Sequence, residues 1–275
     1  MTMATDQRRA QRPVTLKTLR QMKQHGEKFS CLTAYDASMA RVLEDAGVDV
    51  LLVGDSLGMV IQGHENTLPV TVADMIYHTK CVSRGSRNTL VIADMPFMSD
   101  MSPAQTLGNA ARLVAEGGAH IVKLEGGARL VDTVALLAER GIPVCAHLGL
   151  QPQSVNKLGG YGVQGRDDAT AEAIRHDAKA LQDAGADLML LECVPNSLAE
   201  SVVAELDIPV IGIGAGPACD GQVLVVYDML GITPGQRPRF VKDFLAAYGS
   251  VRDAAAGYVS EVKNGKYPAP EHCYR

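Results

Sequence analysis

Residues 187–215 read DLMLLECVPNSLAESVVAELDIPVIGIGA, and this stretch decides the fold. DLMLLECV (187–194) is almost continuously apolar, as a strand covered on both faces must be. NSLAESVVAELD (196–207) then places Leu198, Ala199, Val202, Val203 and Leu206 at helical spacing, and IPVIGIGA (208–215) returns to an apolar run. A strand, a crossover helix and a second strand make a βαβ unit, whose two strands run parallel.

The same alternation extends outward in both directions. Strands are expected at 29–36, 48–56, 89–96, 120–126, 142–149, 187–194, 208–215 and 222–229. Helical stretches lie between most of them: SMARVLEDAG from Ser38, VTVADMIYHTKCVSRG ending at Gly85, SPAQTLGNAARLVAEGG, RLVDTVALLAERG and DDATAEAIRHDAKALQDAG. Ser102 caps the third of these with Pro103 in its first turn. Eight strands in βα alternation favour a closed (βα)8 TIM barrel over an open doubly wound sheet, and 275 residues suit one such domain of about 250 residues. GPACDG leaves no room for a helix between the last two strands. An extra N-terminal helix, TLKTLRQMKQ, is placed to plug the bottom of the barrel. The domain is read as 13–263, with loose tails at 1–12 and 264–275.

Composition narrows the function. Net charge is −5 and no basic run interleaves with aromatics, so nucleic acid and anionic membranes are poor partners. No apolar run reaches the roughly 20 residues that span a bilayer, and the polar first residues lack the apolar core of a signal peptide. The six cysteines are scattered without a CxxC pair, as expected of thiols kept reduced in the cytoplasm.

Chemistry enters at the carboxyl ends of the strands, where barrel enzymes build their sites. Side chains alternate faces along a strand, so Asp55 shares a face with Val53, Asp94 with Ile92, Lys123 with Glu125, His147 with Cys145 and Glu192 with Leu190. Asp55, Asp94 and Glu125 come from three neighbouring strands. Three carboxylates in one desolvated pocket repel each other, so protons or a cation must compensate. Oxygen-only donors favour a hard cation, Mg²⁺ before Ca²⁺ or Zn²⁺; the plainer alternative is that each caps a helix or pairs with Lys or Arg. Lys123 is either a Schiff-base amine or a fixed charge for a substrate carboxylate, and carboxylates nearby favour the ammonium. His147 is either a substrate contact or a buried, satisfied histidine. Glu192, on the sixth strand and facing the carboxylates across the barrel, stands where a general base belongs, or else closes a salt bridge. Two glycine-rich loops, GDSLGMVIQGHENTLPVT (54–71) and NKLGGYGVQGR (156–166), match no phosphate-binding pattern and read as lids or as plain surface loops.

At these residues the sequence resembles the ketopantoate hydroxymethyltransferase family. The resemblance is carried by TAYD (33–36), LVGDSLGMVIQGHENTLPVTVADMIYH (52–78), ADMPFMS (93–99), VKLEGG (122–127), VCAHLGLQPQSVN (144–156), GGYGVQGR (159–166), LECVP (191–195) and IPVIGIGAG (208–216). It implies that Asp55, Asp94 and Glu125 surround Mg²⁺, that Asp55, Ser56, Asp94 and Lys123 contact 2-oxoisovalerate (3-methyl-2-oxobutanoate), and that Glu192 accepts a proton. It also implies hydroxymethyl transfer from 5,10-methylenetetrahydrofolate through a Mg²⁺-stabilised enolate, giving 2-dehydropantoate at the first committed step of pantothenate synthesis. A homo-oligomer, commonly a decamer, is implied as well. The rivals are a Mg²⁺-dependent aldolase or phosphoenolpyruvate-mutase-type lyase, which shares the carboxylates but needs no folate, and a catalytically silent scaffold.

Overall fold

Eight parallel strands close in chain order: β1 (Phe29–Thr33), β2 (Val50–Val53), β3 (Leu90–Asp94), β4 (Ile121–Glu125), β5 (Val144–Gly149), β6 (Leu188–Glu192), β7 (Val210–Ile213) and β8 (Gly221–Leu224). The structure, a computed structural model, describes residues 13–235 and 237–275. The expected tail at 1–12 lies outside them. The strands are buried along almost their whole length, which is why their sequences are nearly continuous in Val, Leu and Ile. Helices fill the outer layer: Ala37–Asp45, Val72–Gly85, Pro103–Arg112, Val131–Glu139, Asp168–Asp183 and Asn196–Glu205.

Closure depends on one small residue. Phe29 of β1 pairs in register with Gly221 of β8, and a Cβ at Gly221 would lie 2.3 Å from the Phe29 ring. Glycine lets the ring fill the seam. Between β7 and β8 there is no helix, as the short GPACDG link requires. The helix Leu16–His25 plugs the bottom: Leu19 is fully buried, Arg20 donates to Asp187 ahead of β6 (2.6 Å), and Lys23 donates to Asp220 ahead of β8 (2.9 Å).

Three expectations need correction. The run 222–229 is not one strand: β8 stops at Leu224 and Val226–Met229 is a helical turn, whose Val226 N–H donates to Thr33 Oγ1 (2.8 Å). Its buried residues Val226, Met229 and Leu230 recur at helical spacing, a pattern that a short apolar run hides. The helix expected from Ser38 starts at Ala37, because the Asp36 carboxylate accepts from the N–H groups of Ser38 and Met39. The helix Val251–Lys263 is an element that periodicity missed. It covers β1, and its buried Tyr258 hydroxyl bonds to the carbonyls of Cys31 (3.0 Å) and Gln222 (2.8 Å). Residues 264–275, set apart as a tail, pack back on the barrel: Tyr267 is buried with its hydroxyl on Phe240 O (2.6 Å), and Asn196 N–H donates to Tyr274 O (3.1 Å).

Glu44 fastens an outer helix to the entry of β3. Its Oε2 accepts from Arg87 N (2.6 Å), Asn88 N (2.9 Å) and Ser86 Oγ (2.9 Å). Burial pushes its carboxyl up, but these donors outweigh it and hold the carboxyl below the ordinary range. Glu44→Gln is expected to lose about 1–3 kcal/mol in urea unfolding at neutral pH. A depressed folded value stabilises above the unfolded pKa and is lost as pH falls, so the gap between wild type and variant should close below about pH 4.

Candidate active site

The strand ends bring the expected residues into one cluster. In register, Asp94 of β3 lies beside Lys123 of β4, Glu125 of β4 beside His147 of β5, and Gly149 of β5 beside Glu192 of β6. Asp55 follows β2 by two residues, and its N–H donates to Asp94 Oδ2 (3.0 Å). Lys123 Nζ lies 2.8 Å from Asp94 Oδ1, 3.6 Å from Glu125 Oε1 and 3.1 Å from His147 Nδ1. His147 Nδ1 is 3.3 Å from Glu125 Oε1, and its Nε2 is 3.2 Å from Glu192 Oε2. Asp94 Oδ1, Glu125 Oε1 and His147 Nε2 meet these neighbours at ion-pair distance but lack an aligned hydrogen bond. Charge, more than hydrogen-bond geometry, holds this cluster.

Asp55, Asp94, Lys123, Glu125 and His147 are all buried, whereas the Glu192 side chain retains 17% exposure and is the group most open to the mouth. Electrostatics follow from that packing. Burial, then Asp94 and Glu125, push the Asp55 carboxyl well above the usual range. Burial disfavours the Lys123 ammonium, but Asp94, Glu125 and Asp55 overcome it and raise its pKa. Burial likewise opposes ionised Glu125, yet His147 and Lys123 lower its pKa. Burial and Lys123 press on the His147 imidazolium, and its contacts with Glu125 and Glu192 outweigh them.

Glu192, at the end of β6, lies across the closed barrel from Asp55 after β2, and beside β5 it meets Glu125 through His147. His147 is enclosed by Lys123, Glu125 and Glu192, so a substrate reaching it would have to replace one of these neighbours. Ser56 bonds to the Tyr35 hydroxyl (2.9 Å), which sets it on the rim beside Asp55.

Local backbone supports the arrangement. Gly149 adopts φ +88°, and a Cβ there would lie 2.2 Å from the Glu192 carbonyl oxygen, so only glycine lets β5 end against β6 at this height. Cys193, next to the candidate base, is held at φ 48°, a left-handed conformation costing a non-glycine residue on the order of 1–3 kcal/mol. Above the cluster, Tyr161 of the second glycine-rich loop reaches Met59 of the first, its hydroxyl 4.0 Å from Sδ. Burial, then Asp55, Glu192 and Glu125, raise the Tyr161 pKa, as expected of a hydroxyl over the acidic cluster.

Gln153 was not singled out from the sequence. It lies in the turn Pro152–Ser154 after β5; its Nε2 donates to Asp55 Oδ2 (2.9 Å) and Met95 O (2.9 Å), and its N–H to Glu125 Oε2 (3.1 Å). A glutamine in a loop carries no periodic signal. Only its presence in the stretch 144–156 could have drawn attention to it.

A family model described as Ketopantoate hydroxymethyltransferase matches residues 13–270. The chain belongs to this family. One relative, the 3-methyl-2-oxobutanoate hydroxymethyltransferase of Thiobacillus denitrificans, is 60% identical over 263 residues, covering 95% of this chain and 100% of its own. The enzyme of the same name from Marinobacter nauticus is 58% identical, covering 95% and 99%. Among solved structures, 2,3-dimethylmalate lyase, described as a member of the PEP mutase/isocitrate lyase superfamily, superposes with a TM-score of 0.58 at 21% identity, over 78% of this chain and 82% of that one. That likeness extends to the fold. Family membership therefore decides against the lyase and scaffold readings.

The Mg²⁺ that membership implies can be tested against the side chains present. The donors are oxygens from three adjacent strand ends, and Asp94 Oδ1 and Glu125 Oε1 are buried without an aligned hydrogen bond. Among the described residues no group of three or more acidic, histidine or cysteine side chains stands close enough to hold a metal ion by protein ligands alone. The set suits a hard, partly hydrated ion such as Mg²⁺, which takes few protein carboxylates and keeps water or substrate oxygens.

Proposed function

We propose that this chain transfers a hydroxymethyl group from 5,10-methylenetetrahydrofolate to 3-methyl-2-oxobutanoate, forming 2-dehydropantoate for pantothenate and coenzyme A synthesis. What carries the reading is one mouth holding three carboxylates, a buried ammonium and a more open glutamate, in a chain of this family. A Mg²⁺ ion held by Asp55, Asp94 and Glu125 would supply Lewis acidity toward the oxygens of the oxo acid.

The protein's own groups do the rest. Lys123 keeps its proton because carboxylates surround it, so it offers fixed positive charge to the substrate carboxylate and to negative charge developing on the keto oxygen. It has no free amine for imine formation. Glu192 takes the C3 proton onto its carboxylate, and His147 steadies that carboxylate from Nε2. Water opens the methylene bridge of the donor, its two protons going to the folate nitrogens and its oxygen staying on the carbon as formaldehyde. C3 then bonds to that carbon, the C=O electron pair passes to oxygen, and the alkoxide takes back the proton held by Glu192, leaving 2-dehydropantoate and tetrahydrofolate. Tyr161 and Met59 limit water at this stage by bridging the two loops over the mouth. Asp55 and Ser56 lie where the oxo acid would enter. The same reading carries a cytoplasmic homo-oligomer, a decamer as in the family.

Turnover of 3-methyl-2-oxobutanoate with Mg²⁺ and methylenetetrahydrofolate tests the proposal; each omission should stop 2-dehydropantoate formation. Product without folate, or cleavage of an oxo acid in its place, would sink it. Asp94→Asn should fold but bind Mg²⁺ on the order of tenfold or more weakly, because a neutral amide is a poorer ligand and also faces Lys123. Calorimetric titration of MgCl₂ checks this, and unchanged affinity would remove Asp94 from the ligand set.

A further inference from the structure

We infer that Gln153 is a positioning residue, fixing which oxygen of Asp55 and of Glu125 is presented to the metal and the oxo acid. The inference rests on the function proposed above and concerns a residue to which that function assigns no role.

The pattern is shared by all three carboxylates. Asp94 gives Oδ2 to the Asp55 N–H, Asp55 gives Oδ2 to Gln153 Nε2, and Glu125 gives Oε2 to the Gln153 N–H. Each carboxylate thus has one oxygen held by an N–H donor; the others are Asp94 Oδ1 and Glu125 Oε1, which face Lys123 Nζ at 2.8 and 3.6 Å, and Asp55 Oδ1. The first two are the buried oxygens without an aligned hydrogen bond. Gln153 supplies two of the three restraints. From the loop after β5 it reaches residues at the ends of β2, β3 and β4: Asp55, Met95 and Glu125. The Met95 carbonyl can only accept, so the amide nitrogen faces it, and the second hydrogen of that nitrogen lies toward Asp55 Oδ2. Pro152 immediately before it restricts the backbone of the turn. A residue that only filled space would need no side-chain donor, and here Nε2 donates twice.

Gln153→Met preserves length and volume but donates nothing from the side chain. Gln153→Asn keeps the amide but falls one methylene short of Asp55. Titration of MgCl₂ into each variant should show affinity weakened about 10–100-fold, the usual effect of removing a group that orients a metal ligand. The melting temperature of the metal-free protein should stay near wild type. At saturating Mg²⁺, C3 proton exchange of 3-methyl-2-oxobutanoate should recover to within about tenfold of wild type, because the reacting groups are intact.

A wild-type Mg²⁺ Kd in Gln153→Met would overturn the inference. If that variant does not fold, Gln153→Asn decides: weakened affinity supports the role, and wild-type affinity removes it. Exchange that stays lost at saturating Mg²⁺ in a folded variant would overturn positioning in favour of direct participation. Should the wild-type protein itself bind no Mg²⁺, the functional reading fails first and this inference with it.

Discussion

In Glu192→Gln, solvent deuterium should stop entering C3 of 3-methyl-2-oxobutanoate, and turnover should fall with it by about 10²–10⁴-fold, the usual range for a positioned general base. Proton removal precedes the arrival of the electrophile, so wild-type enzyme should exchange C3–H with Mg²⁺ alone and no folate. The methine signal in proton NMR reads this directly. The amide keeps the size of the side chain and its approach to His147 Nε2, so the fold should survive. Mg²⁺ affinity should remain near wild type, because His147 stands between Glu192 and the nearest proposed ligand, Glu125. Exchange at the wild-type rate would place the base elsewhere, and His147 would be the next residue to replace.

Lys123→Met should be the most damaging substitution for the metal-free fold. It removes the one ammonium among Asp55, Asp94 and Glu125 and leaves their charge buried. Breaking a buried pair from one side costs about 3–5 kcal/mol, which corresponds to a fall in melting temperature on the order of 10 °C for a chain of this size. The pH dependence should separate this from a packing loss. In wild type the Lys123 pKa is raised, so its contribution is complete below the unfolded lysine value and constant across neutral pH. In the variant Asp55 and Glu125 lose the Lys123 charge that in wild type opposes the rise at Asp55 and helps lower Glu125, so both folded values move up; destabilisation is then greatest above those values and is relieved as pH falls through them. The two melting curves, recorded with chelator, should therefore approach each other as pH falls from neutral toward the unfolded carboxylate value of about 4. A gap independent of pH would mean that Lys123 serves packing more than charge.

The barrel was legible because parallel strands covered on both faces must be apolar throughout, and 187–215 displays two of them around a helix. The cluster was legible for a related reason. At the end of an apolar strand an ionisable residue has no packing role, so Asp94, Lys123, Glu125, His147 and Glu192 stood out and strand alternation gave their direction. What escaped lacked such contrast. VLVVYDM reads as one strand because valine and leucine suit strand and buried helical turn equally, and only the i, i+3, i+4 burial of Val226, Met229 and Leu230 tells them apart. The helix Val251–Lys263 had a readable start in Ser250 and Asp253, whose side chain and N–H pair as a cap, but its alanine-rich face is a weak apolar stripe. Gln153 and the link from His147 to Glu192 are tertiary facts. Neighbouring strands can be inferred from order, but the reach of a loop side chain over three of them cannot.

The seam between Phe29 and Gly221 has a consequence for synthesis on the ribosome. The partner of the first strand is among the last to be made, so a nascent chain that has released β1 through β7 holds two open strand edges at once. Such edges are templates for pairing with another chain. The helix Leu16–His25 meets the same delay, since its Lys23 contact, Asp220, immediately precedes β8. Chains truncated before residue 221 should therefore be lost to aggregation or proteolysis even though all of the proposed catalytic side chains have already been synthesised.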